Sequence, residues 1–436
     1  MTRASASPAA NERAHAARLL HAVVVERRTT DQVLAREPAS PLTQELLLGC
    51  LRHFFSLERE VAGLLHRPMK PKDRDVWLLM LIGVYQLRFT RIPDHAAIFE
   101  TVAACTTFGK PWAAKLVNAV LRRAASADAA APGAEPPSEH PEWLERALRT
   151  AYPDADVLMQ ANNARAPMAL RVNVARCAPA DYRTRLDAAG IGWRAPHAGT
   201  GPGGFGPETL VLDAPRPMQT LPGYPEGHVA VQDAGAQLAV QLLEPRAGER
   251  VLDACAAPGG KLFHLIERYP GARVTALDRS EARLAQLGRE AERLGHRSFT
   301  AIAADATELD WWDGEPYRWI LLDAPCSGTG TLRRHPDIKL LRRPEDLPEF
   351  VERQQRLLDA LWQVLEPGGT LVYCTCSILP AENDEVIARF RRHRRDVLAC
   401  PLRLATGRAT GEGWQLLPTD PDTDGFYFSR MSKAAR

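Results

Sequence analysis

No apolar run in this sequence is long enough to cross a membrane: the longest, residues 76–87, is about a dozen residues where a span needs roughly 20. Residues 1–28 hold no apolar core followed by a small-residue cleavage site, so an export signal is not expected. Cysteine is sparse, and its eight positions (50, 105, 177, 255, 326, 374, 376 and 400) form neither a CxxC pair nor a framework spacing, which argues against a disulfide scaffold. A zinc site needs four convergent ligands, and without a CxxC or a nearby His pair no metal is expected. A reducing, cytoplasmic compartment fits these absences. The GxGxxG fingerprint of a dinucleotide fold is missing too, and the glycine-rich loop 199–206 lacks the Lys and Ser/Thr of a phosphate-binding loop, so it reads as a flexible surface connection.

What is present suits a soluble chain of several domains. With 436 residues, 45% of them hydrophobic and 25% charged, two or three cores are expected. The net charge of +2 hides an asymmetry: residues 1–125 carry 18 Lys/Arg against 11 Asp/Glu, so a basic first part precedes an acidic remainder. A basic module points to a polyanionic partner.

Residues 11–27, 42–65, 73–89, 94–108 and 111–123 read as helices, with Val76, Met80, Val84 and Leu87 at three- and four-residue spacing. This is an all-α bundle over 1–125, and its last stretch, Lys115-Leu116-Val117-Asn118-Ala119-Val120-Leu121-Arg122-Arg123, resembles the closing helix of the NusB-type RNA-binding domain. Residues 126–141, rich in Ala, Pro and Ser, read as a linker. A small α+β module follows over 142–235, with a helix at 142–162, strands at 168–174, 209–212 and 229–232, and a helix at 180–189 ended by Gly190. It is RRM-like in outline but carries no aromatic-rich run for stacking exposed bases, so it reads as an adaptor to what comes next. From 236 to 436 short apolar strands (250–254, 273–278, 300–304, 319–323, 370–374) alternate with helices, the pattern of a Rossmann-like α/β domain, and 414–418 with 425–431 suggests a terminal hairpin.

The first strand of that domain runs into Cys255-Ala256-Ala257-Pro258-Gly259-Gly260-Lys261, where small residues let a ligand approach the backbone at a helix start. Asp278 ends the second strand, at the place where a carboxylate grips ribose hydroxyls. Asp305 follows the third strand, positioned to accept from an adenine amino group, and Asp323 ends the fourth. With Asp253, these acids form an acidic crevice that suits a cationic sulfonium and offers no cradle for a pyrophosphate.

Downstream lie Asp323-Ala324-Pro325-Cys326-Ser327-Gly328 and Tyr373-Cys374-Thr375-Cys376-Ser377, each just past a strand. A free thiol with a pKa of about 8.5 is only a few per cent ionised at neutral pH and needs help to attack. Two such thiols beside a methyl-donor loop are what C5 methylation of a pyrimidine requires, since C5 becomes nucleophilic only after addition at C6. Local sequence leaves open which cysteine attacks. Cys374 lies within its strand and reads as packed, and Cys50, Cys105, Cys177 and Cys400 read as core residues. Arg333, Arg334, Lys339, Arg342 and Arg343, with 389–395, form basic runs suited to phosphate contact.

The segments 254–261, 323–328 and 375–377 together resemble the S-adenosylmethionine-dependent RNA cytosine-C5 methyltransferases over roughly residues 140–436, and 331–338 is a further match. With the helical region added, the chain resembles the branch of that family acting on bacterial small-subunit (16S) ribosomal RNA. The resemblance implies a class I methyltransferase fold and S-adenosylmethionine bound by residues 255–261, Asp278, Asp305 and Asp323. It also implies attack by Cys376, release through Cys326, and Asp323 at the cytosine N3 and N4 edge, with Lys261 near the target nucleotide. A monomer working on an extruded or unpaired base is expected. Two other readings stay open: an RNA-binding assembly or antitermination factor with an inactive catalytic fold, and a cytosine-C5 methyltransferase of transfer RNA or DNA.

Overall fold

Every residue from 76 to 86 is buried, so this helix is apolar all round and must sit at the centre of its unit. The computed structural model describes residues 7–126, 138–201 and 203–435; most of the expected linker, 127–137, lies outside them. The chain divides into two compact units, Met1–Ala164 with Leu332–Pro344, and Arg165–Thr331 with Glu345–Arg436. Among the described residues no helix is long and apolar enough to cross a membrane.

The first unit holds helices α1 (Pro8–Val24), α2 (Thr30–Arg36), α3 (Pro41–Arg52), α4 (Phe54–Leu64), α5 (Arg74–Phe89), α6 (Asp94–Thr107), α7 (Ala114–Ser126), α8 (Glu142–Ala151) and α9 (Ala155–Asn163). Helix α5 is the central one, and α1, α3, α4, α6 and α7 pack around it. The single helix expected over 42–65 is two helices. They are parted at His53 (φ −105°, ψ 22°), whose ring stacks on Phe89 at 3.9 Å and whose Nδ1 lies 3.0 Å from Glu139 Oε1. The helix expected over 142–162 is also split, because Pro153 has no N–H and pushes Tyr152 into extended backbone (φ −132°, ψ 125°). Helix α2 was not expected, although its capping box, Thr29 with Gln32, is written in the sequence.

Residues 332–344 also belong to this unit, and they correct the reading of the basic run. Asp337 accepts from the Thr30 N–H and hydroxyl at 3.0 and 2.9 Å, and Arg27 donates to the carbonyls of Leu340 and Leu341. Lys339, 2% exposed, donates to the Arg52 and Glu139 carbonyls at 2.6 and 2.9 Å and to Asn163 Oδ1 at 2.8 Å. Arg333 is buried as well. Neither side chain is presented to a phosphate, and Lys339 ties this segment to α3 and α9.

The second unit opens with a small antiparallel sheet, β1 (Met168–Val172), β2 (Trp193–Arg194), β3 (Thr209–Leu212) and β4 (Val229–Val231) in the order β2-β3-β1-β4, with α10 (Pro179–Ala188) beside it. The loop 199–206 is more than a surface connection: Phe205 is buried, and a Cβ on Gly203 would meet the Arg403 carbonyl oxygen at 2.4 Å.

Helix α11 (Ala234–Gln241), capped by Asp233, leads to the large sheet, built from β5 (Arg250–Ala254), α12 (Gly260–Arg268), β6 (Arg273–Asp278), α13 (Glu281–Leu294), β7 (Phe299–Ala303) and β8 (Tyr317–Asp323). The chain then makes its excursion into the first unit, with α14 (Ile338–Leu341), and returns through α15 (Leu347–Val364) to β9 (Leu365–Thr375) and α16 (Asp384–Arg392). Strands β10 (Val397–Ala399), β11 (Arg408–Ala409), β12 (Trp414–Leu416) and β13 (Phe426–Lys433) complete a nine-stranded sheet in the order β11-β12-β13-β9-β8-β5-β6-β7, with β10 on β13. Pairing is parallel from β9 to β7, while β13 runs antiparallel to β9, and the expected terminal hairpin is β12 with β13.

Two buried ionic clusters tie the small sheet to α12. Arg171 on β1 grips Glu267 at 2.8 and 3.0 Å and the Gly260 carbonyl at 2.6 Å, both ion-pair partners being 1% exposed. Glu208 accepts from His264 Nε2 at 3.0 Å and Arg268 Nη1 at 2.9 Å. Burial opposes charge on Glu208, but the His264 hydrogen bond and charge, then the Arg268 charge, hold its pKa down at about 2, against an ordinary 4.5. Burial lowers the His264 pKa, so at neutral pH Arg268 is the facing cation and His264 a neutral donor.

A depressed carboxylate contributes stability above its unfolded pKa and loses it as pH falls through the folded one. Glu208→Gln is therefore expected to destabilise the protein by about 2 kcal/mol at neutral pH. The gap to wild type should close between pH 4.5 and about 2. Denaturation of both proteins across that range checks this; a gap that does not change with pH refutes it.

Candidate active site

Register is what brings the site together. In the parallel pairing of β8 with β9, Asp323 sits opposite Cys374, and the Ala324 N–H donates to the Cys374 carbonyl at 2.9 Å. The loops leaving the two strands therefore start side by side, and their thiols, fifty residues apart in sequence, meet with Cys326 Sγ 3.4 Å from Cys376 Sγ. Gly330 lets them close: its N–H donates to the Cys376 carbonyl at 2.9 Å, and a Cβ there would lie 2.1 Å from the Gly425 carbonyl oxygen.

Next to the thiols stands a largely covered cation. Lys261, in the first turn of α12, donates to Asp323 Oδ2 at 2.6 Å and lies 5.6 Å from the centre of the Phe426 ring. Burial works against its charge, but Asp323 first, then Cys374 and Cys376, hold its pKa above the ordinary lysine value. The other Asp323 oxygen accepts from Cys374 Sγ at 3.3 Å. Cys374 is fully buried, as its strand position suggested, and burial pushes its thiol well up. The Cys326 thiol is likewise raised well above its ordinary range, by its hydrogen bond to Cys376, then by burial and the charges of Cys376 and Glu382.

The crevice at the ends of β5, β6 and β7 is lined by Cys255, Asp278, Ala304, Ala306, Pro325 and Arg353 among others, and encloses about 30 Å³. Asp278, 3% exposed, accepts from the Ala257 N–H at 3.2 Å and the Ser280 N–H at 3.0 Å, with Arg283 Nη1 at 3.2 Å. Asp305 accepts from the Thr307 N–H and hydroxyl and pairs with Arg353 at 3.1 Å; burial would raise its pKa, but these donors hold it below the ordinary value. Cys255 is pushed up to about 12, chiefly by burial and then by Asp323 and Asp278, so it acts as a neutral wall.

Asp253 is buried with both carboxylate oxygens unpartnered, and burial, then Asp323, raise its pKa well above the usual range. Gly259 turns the loop into α12 at φ +108°, where a Cβ would strike the Phe263 ring at 2.3 Å. Small residues at 256 and 257, a left-handed glycine at the helix start and the carboxylate of Asp278 in the crevice suit a cationic, nucleoside-bearing methyl donor. Nothing here resembles a phosphate cradle.

The predicted residues fall into two groups. Cys326, Cys376, Asp323 and Lys261 adjoin at the mouth of β8 and β9, whereas Cys255 and Asp278 line the crevice over β5 to β7 and Asp305 pairs with Arg353 at its edge. Cys50, Cys105 and Cys177 are buried as expected; Cys400 is only half-buried, its Sγ 3.6 Å from Ser432 Oγ. Sequence reasoning missed Glu382, Gln354 and the two serines that follow the cysteines. A glutamate in the acidic stretch 382–385 reads as a solvated helix start, and only burial singles it out. Among the described residues, no three His, Cys, Asp or Glu side chains group as metal ligands.

A central parallel sheet with one reversed strand beside it and acids at the strand ends defines a Rossmann-like methyltransferase domain, here preceded by a helical bundle and a small antiparallel sheet. The sequence model for the 16S rRNA methyltransferase RsmB/F family matches residues 240–432. The NusB family matches 10–126, and the ferredoxin-like domain of RsmF/B-like methyltransferases matches 140–219. A protein of Pseudomonas putida named ribosomal RNA small subunit methyltransferase B is 42% identical, covering 98% of this chain and 99% of its own. One of the same name from Vibrio cholerae is 42% identical over 97% of this chain and 98% of its own.

Among solved structures, PH0851 superposes with a TM-score of 0.81 over 98% of this chain and 99% of its own, a likeness of fold at 21% identity. A methyltransferase homolog protein from Pyrococcus horikoshii superposes with a TM-score of 0.56 at 28% identity, over 64% of this chain and 90% of its own. The chain belongs to the 16S rRNA methyltransferase RsmB/F family.

Proposed function

We propose that this chain transfers the methyl group of S-adenosylmethionine to C5 of a cytosine in small-subunit (16S) ribosomal RNA, with Cys376 as nucleophile and Cys326 as the group that permits release. The observation that carries this reading is the 3.4 Å approach of the two sulfurs beside the Lys261–Asp323 pair. We assign residues 1–125 to RNA binding, 126–141 to a linker, 142–235 to an adaptor and 236–436 to catalysis, in a protein that works as a monomer in the cytoplasm. Residues 255–261 with Asp278, Asp305 and Asp323 hold S-adenosylmethionine, which supplies an electrophilic methyl group on a sulfonium.

The Cys376 thiolate adds to C6 of the cytosine, moving the C5–C6 electron pair onto C5, while Asp323 faces the N3 and N4 edge. C5 then accepts the methyl. The sulfur of Cys376 is now a neutral thioether, so the interaction that most strongly raised the Cys326 thiol is gone, and Cys326 gives its proton to solvent. The Cys326 thiolate takes the C5 proton, the C5–C6 double bond reforms, and the S–C6 bond breaks. This restores one thiol beside one thiolate, with one proton released per turnover.

Bisulfite sequencing of 16S ribosomal RNA from cells lacking the protein and from cells rescued with it tests the proposal. One cytosine should be converted in the first and protected in the second. Equal protection of every cytosine in both would refute the substrate assignment.

A further inference from the structure

Beneath the two thiols lies a carboxylate that the reaction above does not use. Glu382 is wholly buried at the end of a short turn before α16. Its Oε1 accepts from the Ser327 N–H at 2.7 Å and Gln354 Nε2 at 3.3 Å; its Oε2 accepts from Ser327 Oγ at 2.5 Å and Ser377 Oγ at 2.6 Å. Four donors on four lone-pair sites match the acceptor-only form of a carboxylate. Ser327 follows Cys326 and Ser377 follows Cys376: each serine is fully buried while each cysteine is only half-buried.

One side chain therefore grips the residue next to each thiol. The bracing extends outward: Gln354 also donates to the Pro325 carbonyl at 2.9 Å, and Thr329 Oγ1 lies 3.1 Å from Ser377 Oγ. The Glu382 backbone is itself held, its carbonyl accepting from the Tyr373 hydroxyl at 2.7 Å.

We infer that Glu382 is a positioning residue that locks the two thiol-bearing loops together through the serine following each cysteine, an inference that rests on the roles given to Cys376 and Cys326 above. Its function needs the carboxylate and not merely the volume. An amide in its place would turn one acceptor into a donor facing hydroxyls that already donate, and the loops would lose their common anchor. The same anion is among the groups that raise the Cys326 thiol, so its removal also weakens Cys326 as a base.

The test uses the full chain with 16S ribosomal RNA and S-adenosylmethionine, comparing wild type, Glu382→Gln, the double variant Ser327→Ala/Ser377→Ala, and Cys376→Ser. Glu382→Gln is expected to lower kcat about 10- to 100-fold, with KM for S-adenosylmethionine unchanged within about twofold, because misplacing a reacting group by a fraction of an ångström is enough for such a loss. The limb of its pH–rate profile that reports Cys326 should move to lower pH, since a neighbouring negative charge has gone. A wild-type kcat, or a reduced kcat with that limb unmoved, overturns the inference.

If Glu382→Gln loses its melting transition, the serine double variant decides, because it keeps the carboxylate and the residue 327 N–H bond and removes both hydroxyl contacts. A similar fall in kcat supports the inference and a wild-type kcat overturns it. Cys376→Ser separates the two levels: if it still turns over, the reading of the thiols has failed, whereas an inactive Cys376→Ser beside a wild-type Glu382→Gln means only the clamp has failed.

Discussion

Cys326→Ser should turn the protein from a catalyst into a trap, with a covalent protein–RNA adduct that survives denaturation and accumulates as turnover falls about 10²- to 10³-fold. Cys376→Ser should instead abolish turnover, by about 10³-fold or more, and leave no adduct. The asymmetry follows from the roles proposed for the two sulfurs, which lie 3.4 Å apart, with the Cys326 thiol raised above its ordinary range. Replacing the attacking sulfur with a hydroxyl, which does not ionise near neutral pH, stops the first bond from forming. On the proposed roles, replacing the other leaves attack intact but removes the group assigned to take the C5 proton, so the S–C6 bond should persist. Denaturing electrophoresis of each variant with 16S ribosomal RNA checks both outcomes. Adducts formed by the Cys376 variant would reverse the roles, and none from either would remove the covalent step.

Lys261→Met is expected to have the next largest effect, a fall in turnover of about 10²- to 10³-fold, as for loss of a preorganised charge at a reacting centre. The ammonium lies 2.6 Å from Asp323 and is acted on by Cys374 and Cys376. Its removal leaves Asp323 without its cation and close to the buried, unpartnered Asp253. Because the Asp323 side chain is a third exposed, solvent screens the loss, and a destabilisation of about 1–2 kcal/mol is expected. Adding Asp323→Asn should recover much of that stability, because no uncompensated charge then remains, but none of the activity. Chemical denaturation and single-turnover methylation of the two single variants and the double variant provide the measurement. A Lys261→Met protein within about threefold of wild-type turnover would show that the ammonium is structural only.

Much of the catalytic fold was legible because parallel strands buried on both faces read as short apolar runs ending in acids. Strands 250–254 and 273–278 were placed to the residue, as was β3. Helix breaks were read less well. The split at 153 was written in a proline, whereas the one at His53, where the ring stacks on Phe89, has no proline or glycine to mark it. The basic run after Cys326 looked like a phosphate contact because a charge pattern in sequence carries no information on burial. Lys339 is an internal tie of the helical unit, and the Arg333 side chain is buried.

The chain's chemistry was determined by its sequence alone: which residues bear thiols, which strand ends bear acids, and a glycine turn at residues 259 and 260 opening a helix, since these depend on residue type and local period. Which groups act together was decided only by tertiary structure. The β8–β9 register sets Cys326 against Cys376, α12 carries Lys261 onto Asp323, and the turn before α16 lodges Glu382 beneath both loops. The reason is physical: pairing register and burial arise from contacts between segments tens of residues apart, and a local pattern of residues does not encode them.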